Sequence, residues 1–139
     1  MVSQVLVAMD DSEMAVEALR YALDVHADAE ITVLAVVGEP SQLMGKATAI
    51  ATAEDPQAKA AEIAAPILDR AREIADEAGR EITTTVGYGA PAREIVNRAE
   101  SFDAVVVGSH GGTLRDRLIV GDVAKTVFNR SPVPVTVVR

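Results

Sequence analysis

Cysteine is absent from the 139 residues, which excludes disulfide cross-links and thiolate metal sites. The absence fits a reducing compartment. Tryptophan is absent too, and Tyr21, Tyr88, Phe102 and Phe128 are the whole aromatic complement. So few rings leave no stacking platform for single-stranded nucleic acid. Positive charge is scarce: 13 Lys and Arg stand against 21 Asp and Glu, for a net charge of −8. A net anion repels nucleic acid and anionic lipid unless its basic residues cluster. The one mild cluster, Arg115 and Arg117, is too small for a duplex footprint, so no nucleic-acid partner is expected. Long apolar runs are missing as well. The longest, near Ile31 to Val37, is far too short to span a bilayer. The opening MVSQVLVAMDDS has neither the basic region nor the apolar stretch of a secretion signal. No membrane association is expected, and the cytoplasm is the expected location.

What is present suits residues 1–139 as a single domain. At this length roughly 70% of the unfolded surface can be buried, enough for a core without staples. β-Branched runs at Val5–Ala8, Ile31–Val37, Ala104–Val107 and Val133–Val138 read as strands, and Glu81–Val86 adds a weaker, alternating one. The near-continuous apolar runs mark strands covered on both faces. Helical spacing lies between them. Ala15, Val16, Leu19, Ala22 and Leu23 make one stripe. Asp55-Pro56 opens a second, through Ala60, Ile63, Ala64, Ile67, Leu68, Ala71, Ile74 and Ala78, which ends at Gly79. Pro66 inside it predicts a kink. Pro91 begins a third helix with Ile95, Val96 and Ala99. A fourth runs from about Gly121 to Asn129, with Val123, Ala124 and Val127 inward. Strict β-α alternation predicts an α/β fold: a doubly wound, five-stranded parallel sheet in the order 3-2-1-4-5, with helices on both faces. The uncharged last strand, Val133 to Val138, would be an unprotected edge, and a twofold mate pairing there would cover it. A homodimer is expected.

Ligands of such sheets sit beyond the strands' carboxyl ends, where the strand order reverses. In this order that point lies between the first and fourth strands, at Asp10-Asp11 and Gly108-Ser109-His110-Gly111. Glycines there let backbone N–H groups turn toward one concavity, and a helix begins near Gly121. Both arrangements favour an anion. Read without further support, the same glycines also suit a plain tight turn. Gly108-x-x-Gly111, nine residues, then Gly121 resembles the G-x-x-G-x9-G-[S/T] signature of the universal stress proteins. VLVAMDDSEMAVEALRYAL, GAPAREIV and SPVPVTVV also resemble that family, so the likeness covers nearly the whole chain outside Gly38–Glu54.

The resemblance implies a dimer and, in one branch of the family, bound ATP. On that analogy Asp10 would bond the nucleoside and Val36 would flank the adenine. Gly108, His110 and Gly111 would wrap the sugar and phosphates, and Gly121, Asp122 and Val123 would hold the outer phosphates. Where the family has a small hydroxyl residue after the last glycine, this chain has Asp122. As a helix N-cap Asp equals Ser, but against phosphate it repels. Two unit charges 4 Å apart cost about 1 kcal/mol in water and about 4 at an effective dielectric of 20. Mg²⁺, or Arg115 and Arg117, would have to compensate, so ATP is expected to bind weakly and with Mg²⁺.

Other readings compete. Asp10-Asp11-Ser12 resembles a response-regulator corner, but no acidic acceptor ends the third strand and no lysine ends the fifth. Asp11 is expected to cap the first helix, and His26 to play a structural part at that helix's end. No Ser-His-Asp set, no metal site and no G-K-[ST] motif is present, so efficient catalysis is not expected. The main expectation is a dimeric, stress-associated, adenine-nucleotide-binding protein. Its rival is a nucleotide-free dimeric interaction module of the same fold. A metal-dependent hydrolase using Asp10 and His110 is the third reading.

Overall fold

A computed structural model describes residues 2–38, 56–109 and 121–139. Among the described residues nine elements alternate along the chain. They are β1 (Gln4–Ala8), α1 (Glu13–Val25), β2 (Glu30–Val37), α2 (Pro56–Glu77), β3 (Thr83–Tyr88), α3 (Pro91–Ala99), β4 (Ala104–Gly108), α4 (Asp122–Arg130) and β5 (Val135–Val138). The strands form one parallel sheet in the order β3-β2-β1-β4-β5, as the alternation predicts. Strand side chains alternate between its faces. Val5, Val7, Ile31, Val33, Ala104 and Val106 pack with α1 and α2, while Leu6, Leu34, Val105 and Val107 pack with α3 and α4.

The sequence reading and the structure part at several ends, each for a local reason. β5 starts at Val135 rather than Val133. Ser131 Oγ donates to the Val133 carbonyl at 2.7 Å and accepts the Val133 N–H at 3.1 Å, and Pro134 has no N–H to give a ladder. β3 lies at Thr83–Tyr88, two residues beyond the expected segment at both ends, because its register against β2 runs from Thr83 to Tyr88. The α1 cap is Ser12, not Asp11: Ser12 Oγ accepts the Ala15 N–H at 3.2 Å. His26 is the residue just past that helix.

α2 keeps its span through Pro66. It closes at Gly79, whose φ of +68° suits glycine, with the Arg80 N–H returning to the Ala75 carbonyl at 2.9 Å. Ala78, expected inward, is exposed at that end. Val123, also expected inward, is 42% exposed, and Ala124 and Val127 alone among the α4 residues are buried. Val7, Val33, Val105 and Val107 are among the many buried apolar strand residues. Val36 and Val135 are half-buried, one at a strand's carboxyl end and the other on an edge strand with no neighbour beyond it. No helix of the described residues is long and apolar enough to cross a membrane.

Candidate functional site

The site lies at the carboxyl ends of β2, β1 and β4. Ala8 pairs with Leu34 and Val7 with Val106. Asp10 and Val36 lie two residues past the first pair, and Asp10 and Ser109 lie three past the second. Asp10, Val36 and Ser109 therefore stand level across three neighbouring strands. The chain still pairs at this height, since the Met9 N–H donates to the Leu34 carbonyl at 2.9 Å and the Ser109 N–H to the Val138 carbonyl at 2.7 Å. Val36 packs on the α3/α4 face with Val105 and Val107, and strand alternation carries Ser109 to that same face.

Asp10 is held in place by its own turn. Oδ1 accepts the Ser12 N–H at 2.9 Å, the short Asx arrangement that aspartate favours. Its other oxygen has no partner among the described residues, and the side chain is exposed. That oxygen can accept hydrogen bonds from a hydroxyl-bearing ligand. Toward α1 and α2, an open cleft of about 360 Å³ is lined by Asp10 itself with Met9, Asp11, Val16, Ile67 and Arg70 among others. A larger opening of about 470 Å³ lies at the far end of α1 and α2, around Arg20, Ile74 and Arg80, away from the strand ends.

Gly108 ends β4 against the first turn of α1. A Cβ there would stand 2.9 Å from the Met14 carbonyl oxygen and 3.0 Å from its carbon, so close packing alone already calls for glycine. Gly121 is the N-cap of α4, and its N–H donates to the Ser109 carbonyl at 2.5 Å. That bond fixes the start of α4 to the end of β4. Gly121 offers no side chain to the first turn, and the amides of Asp122, Val123 and Ala124 meet no acceptor among the described residues. Asp122 is thus the first helical residue and not the cap expected of it. It and Val123 are exposed. His110 and Gly111, with Arg115 and Arg117, lie outside the described residues.

Sequence reasoning placed Ser109 in the glycine segment but gave it no role of its own. It is fully buried, and its Oγ has no hydrogen-bond partner among the described residues. The available signal was its position: it shares the parity of Val105 and Val107, so its hydroxyl must enter the layer that α4 covers. Among the described residues no group of three His, Asp or Glu side chains could hold a metal ion.

A doubly wound sheet with its acidic corner and glycine turns at the switch point places this protein in a known class. The family model of the universal stress proteins matches residues 1–139, and the chain belongs to that family. A universal stress protein of Bacillus subtilis, YxiE, is 30% identical over 148 residues, covering 100% of both chains. Among solved structures, UspA of Lactobacillus plantarum superposes with a TM-score of 0.73 at 24% identity, covering 99% of this chain and 98% of that one. A universal stress protein in complex with cAMP gives 0.68 at 24% identity, covering 99% and 97%. One from Archaeoglobus fulgidus in complex with dAMP gives 0.67 at 20%, covering 100% and 98%.

Proposed function

We propose that this protein binds an adenine nucleotide in the crevice beside Asp10, as a cytoplasmic, stress-associated dimer without efficient catalysis. The observation that carries the reading is the level set of Asp10, Val36 and Ser109 with the start of α4 fixed above it. Asp10 Oδ2 suits a ribose hydroxyl, the half-open Val36 suits a flat apolar base, and the first-turn amides of α4, without an acceptor among the described residues, suit a phosphate. Relatives of the same fold held cAMP and dAMP. ATP, in this reading, needs Mg²⁺ to mask Asp122. The cytoplasmic placement rests on the cysteine-free composition.

Dimerisation is proposed through β5. In the β4–β5 ladder Pro134 and Val138 turn their carbonyls to β4, so the N–H and C=O groups of Val135 and Val137 face outward. They find no partner among the described residues. An aromatic side chain, Phe128, is 65% exposed on α4, the helix packed beside this edge. A twofold mate would pair the edge and cover the ring.

The second reading, a nucleotide-free interaction module, draws on Gly108 and Asp122. Packing against Met14 explains the one without a ligand, and the other sets a carboxylate beside the expected phosphate position. Equilibrium dialysis of the purified chain against AMP separates the two: uptake supports the first reading, and none at millimolar nucleotide supports the second.

A further inference from the structure

α3 lies over β2 and β3 and packs against α4, and its sides meet different surroundings. Ile95 and Ala99 turn inward and are buried. Glu94 and Arg98 reach the outer edge of β3, at the Tyr88 N–H, the Thr85 hydroxyl and the Val86 carbonyl. With about 3.6 residues per turn, Arg93 falls on the other flank, the one toward α4. Val96, three residues on and on that same flank, packs against the cluster that holds Ala124 and Val127 of α4. Arg93 stands one turn nearer the helix start, at the strands' carboxyl ends, and so faces the crevice. It is exposed and has no hydrogen bond or salt bridge among the described residues. A cation in the first turn of a helix opposes the dipole, and stability there favours an acid, which Glu94 supplies. A residue that breaks a local rule with no compensating contact points to a function.

Beside Arg93 the crevice has an apolar floor. Ala8 ends β1, Val36 lies near the end of β2, and Ala92 sits in the first turn of α3. All three are partly buried against one cluster. α4, with its first-turn amides, packs beside β5 on the far side of the crevice, so the guanidinium belongs to the half of the crevice that holds the floor. A guanidinium is planar and weakly hydrated, and it stacks on the faces of flat π systems. We propose that Arg93 lays its guanidinium on the outer face of an adenine base whose inner face rests on Ala8, Val36 and Ala92. This rests on the nucleotide reading above and adds to it the residue that covers the base.

The test is calorimetric titration of adenosine and AMP into the full chain, with Arg93→Met and Arg93→Glu beside the parent. Adenosine is uncharged, so a loss there cannot come from attraction to a phosphate. Arg93→Met keeps a long apolar stem and removes the guanidinium. It should weaken adenosine and AMP by the same factor, about two- to fivefold. Arg93→Glu should weaken adenosine at least as much, yet melt no lower than the parent, because an acid suits the first turn of a helix. That combination separates a contact with the base from a merely structural part. If the methionine variant does not fold, the glutamate variant still decides. Adenosine binding unchanged in the folded variants overturns the proposal. So does a loss confined to AMP, which would assign Arg93 to the phosphate. Either result leaves adenine binding itself standing. A parent that binds neither ligand removes the nucleotide reading along with the proposal.

Discussion

Gly108 and Asp103 carry opposite ends of β4. At the carboxyl end, the missing Cβ of Gly108 lets α1 approach to 2.9 Å at the Met14 carbonyl. Backbone cannot step aside as a flexible side chain can, so Gly108→Ala should destabilise by about 1–3 kcal/mol, read as a lower urea midpoint with unchanged slope. An unchanged midpoint would mean that the approach relaxes freely. At the amino end, Asp103 Oδ2 accepts the Ser3 N–H, the Ser3 hydroxyl and the Gln4 N–H, each at 2.9 Å. These bonds, the backbone ones first, hold its carboxyl below the ordinary carboxylate range. A lowered folded value means the bonds stabilise the fold above the unfolded pKa of about 3.9. That contribution is lost as pH falls through the folded value. Asp103→Asn should therefore flatten the acid limb of stability against pH while changing the slope little near neutrality. An acid limb identical to the parent's would contradict this.

The sheet's two edges are finished differently. On β3 the outward Tyr88 N–H donates to Glu94 Oε1 at 3.2 Å, and the outward Val86 carbonyl accepts from Arg98 at 3.1 Å. Side chains of α3 thus occupy the groups that a further strand would need. On β5 the outward groups of Val135 and Val137 have no such cover among the described residues. A proline at an edge position with a solvent-facing N–H is tolerated in a strand. Val137→Pro should accordingly keep the β4–β5 ladder and the helical circular dichroism but sediment as a monomer at micromolar concentration, where the parent sediments as a dimer. A parent that is already monomeric, or a variant that stays dimeric, would put the interface elsewhere.

Most of these elements were legible because β-branched runs and helical stripes are long-range patterns that neighbouring contacts reinforce. Gly79 at the end of α2 was legible too, since its left-handed conformation favours that residue. The ends of β3 and β5 were not: one is set by register and the other by a Ser131 bond. The clasp of Arg80 on the Leu23 and Ala29 carbonyls, at 2.6 and 2.8 Å, joins residues too distant in sequence to be foreseen.

Over the whole molecule, strict alternation and the switch-point rule locate the crevice before any side chain is considered. Asp10, Val36 and Gly108 were expected at the site from the switch-point rule and the family resemblance, and the structure sets them at neighbouring strand ends. Ser109 was given no role of its own because a buried hydroxyl without a partner among the described residues is a property of packing and has no spacing signature. Asp122 was singled out as a departure from the family pattern, and as a cap it was misplaced by one residue, because Gly121 takes that position.

In the proposed reading this acidic chain nevertheless takes an anionic nucleotide at the end of its sheet. Equilibrium dialysis of the full chain against labelled AMP, with GMP as competitor, tests it most directly. Saturable uptake at a single site per chain is expected, half-complete below about 1 mM, displaced by adenosine and poorly by GMP. No retained AMP above the free concentration would contradict it.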